Sequence, residues 1–298
     1  MTIAMRRYTG PADLRAMQDL TQHMWSTSSS HHVGDLAWER LHTTQQADWP
    51  IALWESQGKV VAWAWAQLPD GLRLEVDPAH SPLLPEILNW FDHLAGDRPR
   101  EINPLDTQSD LRTALLRHGY EPQDEAPFFA YHSRDLTGLP EPVLPDGFIA
   151  RAVRSEEDLD RRVAVHQAAW NSTRVTLESY RNVMAAWPYR PELDWVIEAP
   201  DGRFAANCLI WHDDLHQTGL IEPVGTHPDF RRLGLARAVC TAALHALAKE
   251  GGKNAIVYPR GDDAYPVPQI LYQSIGFRPY TRTRTYRKER AAVISPAT

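Results

Sequence analysis

The hydrophobic positions of this chain change period repeatedly, and the changes divide it into short strands and amphipathic helices. In the second half, the apolar run 219–226 is typical of a strand. The turn residues His-Pro-Asp at 227–229 follow it. From Gly234 onward apolar residues recur at helical spacing until Gly251, which can accept a left-handed C-cap conformation. The pattern predicts a strand, a tight loop and a long helix in succession.

A similar order of elements is predicted in both halves of the chain. In the first half the pattern predicts strands at 5–8, 51–55, 60–67, 72–76 and 100–103, and helices at 11–25, 37–42, 83–94 and 111–117. In the second half it predicts strands at 148–152, 193–199, 204–212, 219–226, 254–259 and 280–288, and helices that end near 170, 184, 250 and 274. Three prolines and a glycine at 139–147 predict a short, stiff linker between the two halves.

The loop that opens the long helix of the second half combines glycine, alanine and arginine. It contains Arg231, Arg232, Leu233, Gly234, Leu235 and Ala236. The first backbone N–H groups of a helix have no intrahelical acceptor, and the helix dipole is positive there. Gly234 and Ala236 leave the backbone open to a ligand, and the arginines add charged donors. This combination predicts a pyrophosphate site.

Two motifs in this half resemble a known family. The segment VGTHPDFRRLGLARA at 224–238 resembles the acetyl-coenzyme A loop of the GNAT N-acetyltransferases, whose pattern is Arg or Gln, two residues, Gly, one residue, then Gly or Ala. Arg231, Gly234 and Ala236 occupy that pattern. Downstream, LYQSIGF at 271–277 resembles the segment whose tyrosine stands beside the coenzyme A sulfur. The resemblance covers about 147–288.

The resemblance implies a fold class, a cosubstrate and a set of binding residues. The fold is α/β (α+β), with two tandem GNAT-like domains, each a mixed, mostly antiparallel twisted sheet flanked by helices. The cosubstrate is acetyl-CoA, and no metal is implied. The implied binding residues are Val224, Gly225, Thr226, Arg231, Arg232, Leu233, Gly234, Leu235, Ala236, Arg237 and Tyr272.

The first half resembles a degenerate copy of the second. Residues 76–80 and 115–120 take the places of the loop and of the tyrosine segment. Pro82 and Pro85 remove amide donors that a pyrophosphate would need, and Leu116 or a neighbour replaces the tyrosine. The predicted division is therefore a non-catalytic domain at 1–138, a linker at 139–147, a catalytic domain at 148–290 and a disordered tail at 291–298.

Composition excludes several other classes of protein. The 298 residues are 43% hydrophobic and 23% charged, as expected for globular domains, and the net charge of −7 argues against general nucleic-acid binding. No apolar stretch resembles a signal peptide or a membrane span. Cys208 and Cys240 form no disulfide or metal framework, and the pair His31 and His32 is predicted to lie in a solvated loop. We expect a cytoplasmic monomer or homodimer.

Acyl transfer to an amine requires a neutral nucleophile and a proton for the leaving thiolate. Deprotonating an alkylamine at pH 7 costs about 4.6 kcal/mol unless a neighbouring group helps. Glu222 is the candidate base or acceptor anchor, because alternation would place it on the same face of the sheet as Val224. The alternative is an outward position or an ion pair. Tyr272, protonated at pH 7, is the candidate acid, with a role in core packing as the alternative.

The expected function is transfer of acetyl from acetyl-CoA to a primary amine of a small molecule, a metabolite or an antibiotic, by direct attack in a ternary complex. A protein or peptide acceptor is one alternative. A non-catalytic regulatory module that binds acyl-CoA is another. A tandem arrangement with an inactive first half also occurs in mycothiol synthases, whose architecture this chain resembles without any motif specific to them.

Overall fold

The computed structural model describes residues 3–25, 30–44 and 48–289, so the predicted tail at 291–298 lies outside the described residues. The first half contains β1 (Ile3–Arg7), α1 (Pro11–His23), α2 (Val33–Leu41), β2 (Ile51–Ser56), β3 (Lys59–Gln67), β4 (Gly71–Val76), α3 (Leu84–Ala95), β5 (Arg100–Ile102), α4 (Ser109–Arg117), β6 (Glu121–Gln123) and β7 (Ala130–Asp135). The second half contains β8 (Ile149–Ala152), α5 (Leu159–Trp170), α6 (Leu177–Met184), β9 (Asp194–Glu198), β10 (Phe204–Asp213), β11 (Thr218–Thr226), α7 (Leu235–Lys249), β12 (Asn254–Val257), α8 (Val267–Ser274), β13 (Arg278–Arg282) and β14 (Thr285–Lys288).

The chain forms two compact units, and each draws on both halves of the sequence. Unit 1 comprises Met1–Ser30, Asp48–Phe128 and Thr281–Thr298, and unit 2 comprises His31–Ala47 and Phe129–Tyr280. Each unit contains a seven-stranded, mostly antiparallel sheet flanked by helices, which confirms the predicted fold class.

The two sheets have corresponding strand orders, and each includes one strand from the other half of the chain. In unit 1 the order is β1-β2-β3-β4-β5-β14-β6, and in unit 2 it is β8-β9-β10-β11-β12-β7-β13. Strand β14 is antiparallel to both β5 and β6, and β7 is antiparallel to β12. The two halves of the sequence therefore exchange one strand each.

A duplicated ion network supports the internal repeat. In unit 1, Arg6 binds both Asp13 (2.8 Å) and Glu55 (2.8 Å), and Asp13 also accepts the backbone N–H of Thr9. In unit 2, Arg151 binds both Asp158 (2.6 Å) and Glu198 (2.9 Å), and Asp158 also accepts the backbone N–H of Arg154. In each unit the network ties the first strand to the start of the first helix.

The segment predicted as a linker packs onto unit 2. Leu139 and Leu144 contact the core cluster that lies between α7 and the sheet, and the carbonyl of Pro140 lies 3.0 Å from Nε2 of His245 on α7. The boundaries predicted at 138 and 148 separate the two repeats along the sequence. Each compact unit, however, contains residues from both sides of these boundaries. The non-catalytic character of 1–138 stays a prediction.

Two local predictions are wrong. The predicted strand 280–288 is two strands, β13 and β14, which belong to different sheets. The predicted solvated loop at His31 and His32 is buried, with 7% and 0% of these residues exposed. His32 caps α2, because its Nδ1 accepts the N–H of Gly34 at 3.1 Å, and burial lowers its pKa to about 4.

No helix in the described part of the chain has both the length and the apolar character needed to cross a membrane. In the same residues, no group of three or more His, Cys, Asp or Glu side chains is arranged to hold a metal ion.

Candidate active site

The loop before α7 contains a 3₁₀ turn and two left-handed residues. A 3₁₀ turn, Pro228–Phe230, follows β11, and Nδ1 of His227 accepts the N–H of Asp229 at 3.2 Å. Arg232 and Gly234 then adopt left-handed conformations, with φ of 67° and 76°. Such turns direct successive backbone N–H groups toward one concavity. A β-carbon at Gly234 would have no other heavy atom within 4 Å, so nothing crowds this position.

Helix α7 begins directly after this loop. Ala238 N–H donates to the carbonyl of Gly234 (3.1 Å), so the N–H groups of Leu235, Ala236 and Arg237 precede the first hydrogen bond of the helical ladder. Arg231, Arg232 and Leu233 are exposed, whereas Leu235 is buried in the core beneath them. The predicted binding residues of the loop therefore meet at one helix N-terminus.

The arginines of this loop differ in their surroundings. Nη2 of Arg231 donates to the carbonyl of Ala169 at 3.3 Å, in the last turn of α5. This contact fixes the side chain against a helix C-terminus, where positive charge is favourable. Arg232 is exposed beside it.

A bulge in β11 changes the predicted orientation of Glu222. Cys208 of β10 pairs with Val224, but Ile210 pairs with Ile221, so β11 has one residue more than β10 in this interval. Ile221 and Val224, three positions apart, both pack against the core cluster beside α7. The alternation by which Glu222 and Val224 would share a face therefore does not apply.

The parallel pairing of β11 and β12 is short. It runs from Thr218 with Asn254 to Leu220 with Ile256. Beyond Leu220, β11 continues to Thr226 without a pair on β12. Pairing between the two strands therefore ends before Glu222 and Val224.

The two other predicted residues of β11 differ in what surrounds them. Gly225 lies under the end of α5, and a β-carbon there would be 2.4 Å from the ring of Trp170. The close approach of α5 thus explains the glycine. Thr226 is partly buried, and its hydroxyl has no hydrogen-bond partner among the described residues.

Glu222 lies beside helix α2, which the first half of the sequence contributes to unit 2. The indole Nε1 of Trp211 donates to the carbonyl of Glu222 at 2.8 Å. The same indole packs on Gly34, where a β-carbon would be only 2.0 Å from Cβ of Trp211. This contact brings the N-terminal turn of α2, including the buried Asp35, next to the bulge.

Tyr258 lies within electrostatic range of both carboxylates. Its ring stacks on Tyr131 with centroids 3.8 Å apart, and its buried hydroxyl has no hydrogen-bond partner among the described residues. Burial, followed by the neighbours Tyr280, Tyr131, Asp35 and Glu222, raises its pKa well above the ordinary value. Asp35 and Tyr258 are not among the residues predicted from the sequence. No local motif marks them, because the packing of α2 and β7 brings this group together.

Tyr272 lies in the core of unit 2, where 7% of the residue is exposed. Its ring meets Phe277 edge-on, with centroids 5.8 Å apart. Burial raises its pKa well above the ordinary value, and the neighbouring Cys240, Cys208 and Glu222 act in the same direction. The phenol therefore keeps its proton at neutral pH. Tyr272 and Glu222 are near enough for their charges to interact.

The equivalent positions of unit 1 lack these features. Phe277 N–H donates to the carbonyl of Tyr272 (3.0 Å), and Tyr120 N–H donates to that of Leu115 (3.0 Å), so Leu115 rather than Leu116 corresponds to Tyr272. A cavity of about 530 Å³ in unit 1, lined by residues that include Arg100, Arg287 and Lys288, contains none of the predicted site residues.

Known proteins resemble part of this chain. Residues 161–277 match the acetyltransferase (GNAT) family. Over 155 residues the chain is 28% identical to a mycothiol acetyltransferase of Streptomyces bingchenggensis (strain BCW-1), an alignment that covers 51% of this chain and 49% of that protein. The chain thus spans about half the length of the curated relative it matches.

Solved structures match the whole chain. A GCN5-related N-acetyltransferase from Sphaerobacter thermophilus has a TM-score of 0.62 at 20% identity, covering 98% of this chain and 97% of that one. A tandem GNAT protein from the clavulanic acid biosynthesis pathway has a TM-score of 0.65 at 13% identity and covers 100% of both chains. At these identities the likeness establishes the fold. The chain has the fold of the tandem GNAT protein, and its residues 161–277 match the GNAT acetyltransferase family.

Proposed function

We propose that this protein is an acetyl-CoA-dependent N-acetyltransferase that acts on a primary amine of a small molecule through unit 2. The main observation behind the proposal is the conformation of the loop 231–234. Two of its residues are left-handed, and the loop leads directly into the first turn of α7, whose backbone N–H groups can bind a ligand. The family match over 161–277 supports it.

The residues at this loop fit the phosphates of acetyl-CoA. The N–H groups of Leu235, Ala236 and Arg237 are available at a helix N-terminus, Gly234 leaves the approach open, and Arg232 adds exposed positive charge. Val224 and Thr226, beyond the end of the pairing between β11 and β12, would hold the pantetheine end. Bound there, acetyl-CoA would supply the acetyl group as a thioester.

Glu222 and Tyr272 would handle the two protons of the reaction. Glu222 takes a proton from the acceptor ammonium, directly or through water, and the neutral nitrogen then forms the bond to the acetyl carbon. As the carbon–sulfur bond breaks, Tyr272 donates its proton to the sulfur, and the second proton lost by the acylated nitrogen returns to Tyr272 through water, while Glu222 releases its proton to solvent. The raised pKa of Tyr272 keeps the phenol protonated at neutral pH, so the proton is present when the step begins.

The acceptor side of the proposed site would carry negative charge from Glu222. The nearby carboxylate of Asp35 is buried and pairs with Nδ1 of His31 (3.3 Å), and both carboxylates raise the pKa of Tyr258, which stacks on Tyr131. A carboxylate at the acceptor position favours a cationic amine without a carboxylate of its own. We therefore expect polyamines such as putrescine to be better acceptors than amino acids.

The experiment is amine-dependent release of coenzyme A thiol by the full-length protein, with acetylated product identified by mass spectrometry. A panel of putrescine, tyramine, glucosamine, glutamate and a lysine peptide covers the acceptor classes. Thiol release with at least one small amine is expected. Release with the peptide alone would favour the protein acetyltransferase. Coenzyme A binding without release by any amine would contradict transfer and favour the regulatory module.

A further inference from the structure

The exchanged strand β7 contacts the helix that carries Tyr272. Nη1 of Arg134 on β7 donates to the carbonyl of Ile275, the residue after the end of α8. Two more bonds hold the same guanidinium, from Nε to the carbonyl of Asp135 (2.8 Å) and from Nη2 to that of Thr137 (3.2 Å). Arg134 is thus fixed to its own strand on one side and to α8 on the other.

The turn that Arg134 contacts also fixes the backbone of Tyr272. The carbonyl of Tyr272 accepts the N–H of Ile275 (3.2 Å) and of Phe277 (3.0 Å). Gly276 between them has φ of 91°, and a β-carbon there would be 3.1 Å from Nη1 of Arg134. Any displacement of this turn therefore moves the backbone from which the phenol extends.

Unit 1 offers an internal comparison. There the exchanged strand β14 brings Lys288 to Gly119, the counterpart of Gly276, with Cε 3.9 Å from the position of a β-carbon. The Nζ of Lys288, however, donates to Asp92 (2.7 Å) rather than to a carbonyl at the end of α4. Helix α4 has Leu115 in place of the tyrosine. In unit 2, Arg134 thus bonds the end of the helix that carries the tyrosine. In unit 1, Lys288 stands beside the helix that carries leucine and bonds Asp92 instead.

We propose that Arg134 is a positioning residue for Tyr272, by which the first half of the sequence contributes to catalysis in unit 2. This inference rests on the proposed function for its kinetic consequence. Arg134 reaches the backbone of α8 rather than the reacting atoms, and it acts through the placement of the phenol. Small displacements of a catalytic group are costly, and about 1 Å can cost about 100-fold in rate.

The kinetic test is a double-mutant cycle of Arg134→Ala with Tyr272→Phe in the full-length protein. Alone, Arg134→Ala should lower kcat about 10-fold and leave KM for acetyl-CoA within about 2-fold. In the Tyr272→Phe background it should change kcat by less than about 2-fold, since the group it positions is gone. Arg134→Lys should restore part of the rate. Arg278→Ala, an exposed arginine next to Phe277, is the matched control and should retain wild-type kcat.

A second measurement does not depend on activity. Hydrogen exchange in the peptide 267–277 should be faster in Arg134→Ala than in wild type or Arg278→Ala, while exchange in α7 stays unchanged. Equal loss of kcat in both backgrounds, or unchanged exchange in α8, would overturn the proposal. Absence of amine-dependent thiol release in the wild type would instead contradict the proposed function, and the exchange result would still decide whether Arg134 holds α8.

Discussion

The two loops that precede α3 and α7 begin in the same way and end differently. In unit 1 the side chain of Asp77 accepts the N–H two residues ahead (2.9 Å), and in unit 2 the side chain of His227 does the same (3.2 Å). The 3₁₀ turn in unit 1 ends at Leu83, and α3 begins at the next residue. In unit 2 four residues, 231–234, intervene before α7.

In the proposed function, this difference separates a structural turn from an anion site. The four additional residues include both left-handed residues of the loop and both exposed arginines. In unit 1, which lacks these four residues, α3 follows directly on the 3₁₀ turn. Pro82 in the turn and Pro85 in α3 have no N–H group to offer a ligand. The same arrangement of strand, turn and helix thus supports the fold in unit 1 and, in the proposed function, would bind coenzyme A in unit 2.

The largest expected effect comes from Gly234→Asp. The left-handed φ of 76° strains any side chain, and the new carboxylate would repel a pyrophosphate. We expect the Kd for acetyl-CoA to rise at least about 100-fold, or about 2.7 kcal/mol, in calorimetry. Gly58→Asp is the control, since Gly58 has φ of 74°, equally open surroundings and a place in the β2–β3 hairpin of unit 1. A similar loss in both variants would contradict the assignment of the loop.

Tyr272→Phe should lower kcat about 100-fold and change KM little, because the phenol acts on the leaving sulfur. Leu115→Met alters the equivalent position of unit 1 and should leave kcat unchanged. Since burial raises the pKa of Tyr272, wild-type kcat should show no fall from loss of this proton below about pH 10. Steady-state kinetics across pH tests both points, and a Tyr272→Phe variant with wild-type kcat would exclude the proposed acid.

The duplicated ion networks predict matched effects on stability in the two units. Hydrogen bonds from Arg6 lower the pKa of Asp13 to about 2. Burial alone would raise the pKa of Asp158, but hydrogen bonds from Arg151 and Arg154 outweigh it and also lower it to about 2. A lowered folded-state pKa stabilises the fold above about pH 4 and loses this effect as pH falls toward 2.

Asp13→Asn and Asp158→Asn should therefore each lower the free energy of unfolding at pH 7 by about 2 kcal/mol. The difference from wild type should shrink as pH falls below about 4. Denaturant titrations at several pH values measure this difference. A constant difference down to pH 3 would show that the variants act through packing rather than through ionisation.

The smallest effect is expected for Arg231→Ala. Loss of one charged donor at the loop should raise the Kd for acetyl-CoA about 10-fold, and the difference should narrow in high salt. Part of the effect comes through the lost bond to the carbonyl of Ala169. Arg7→Ala, an exposed arginine of unit 1, should leave the Kd unchanged. An unchanged Kd in Arg231→Ala would remove this arginine from the predicted binding set.

Local features of the fold and site were predictable from the sequence, whereas long-range pairings were not. Strand, loop and helix at 219–250 follow from periodicity and from glycine and proline chemistry, which act within a few residues. The exchange of β7 and β14 depends on pairing between residues more than 100 positions apart, such as Tyr286 with Ile102. The contact of α2 with Trp211, and hence the place of Asp35, depends on the same kind of packing.

The bulge at Glu222 shows the same limit on a smaller scale. The sequence shows a charged residue, Glu222, within the apolar strand β11. The direction of its side chain depends on the register of β11 with β10. The counterpart of Tyr272 also depends on a helix-terminal hydrogen bond, which identifies Leu115 rather than its neighbour. Because β7 and α2 belong to unit 2, tests of the site require the full chain.

The number of acetyl-CoA sites per full-length chain, measured by calorimetry, tests the central claim most directly. We expect one site, which Gly234→Asp removes and Gly58→Asp retains. Two sites in the wild type, or one site that survives Gly234→Asp, would contradict the claim that the loop at 231–234 distinguishes the two units.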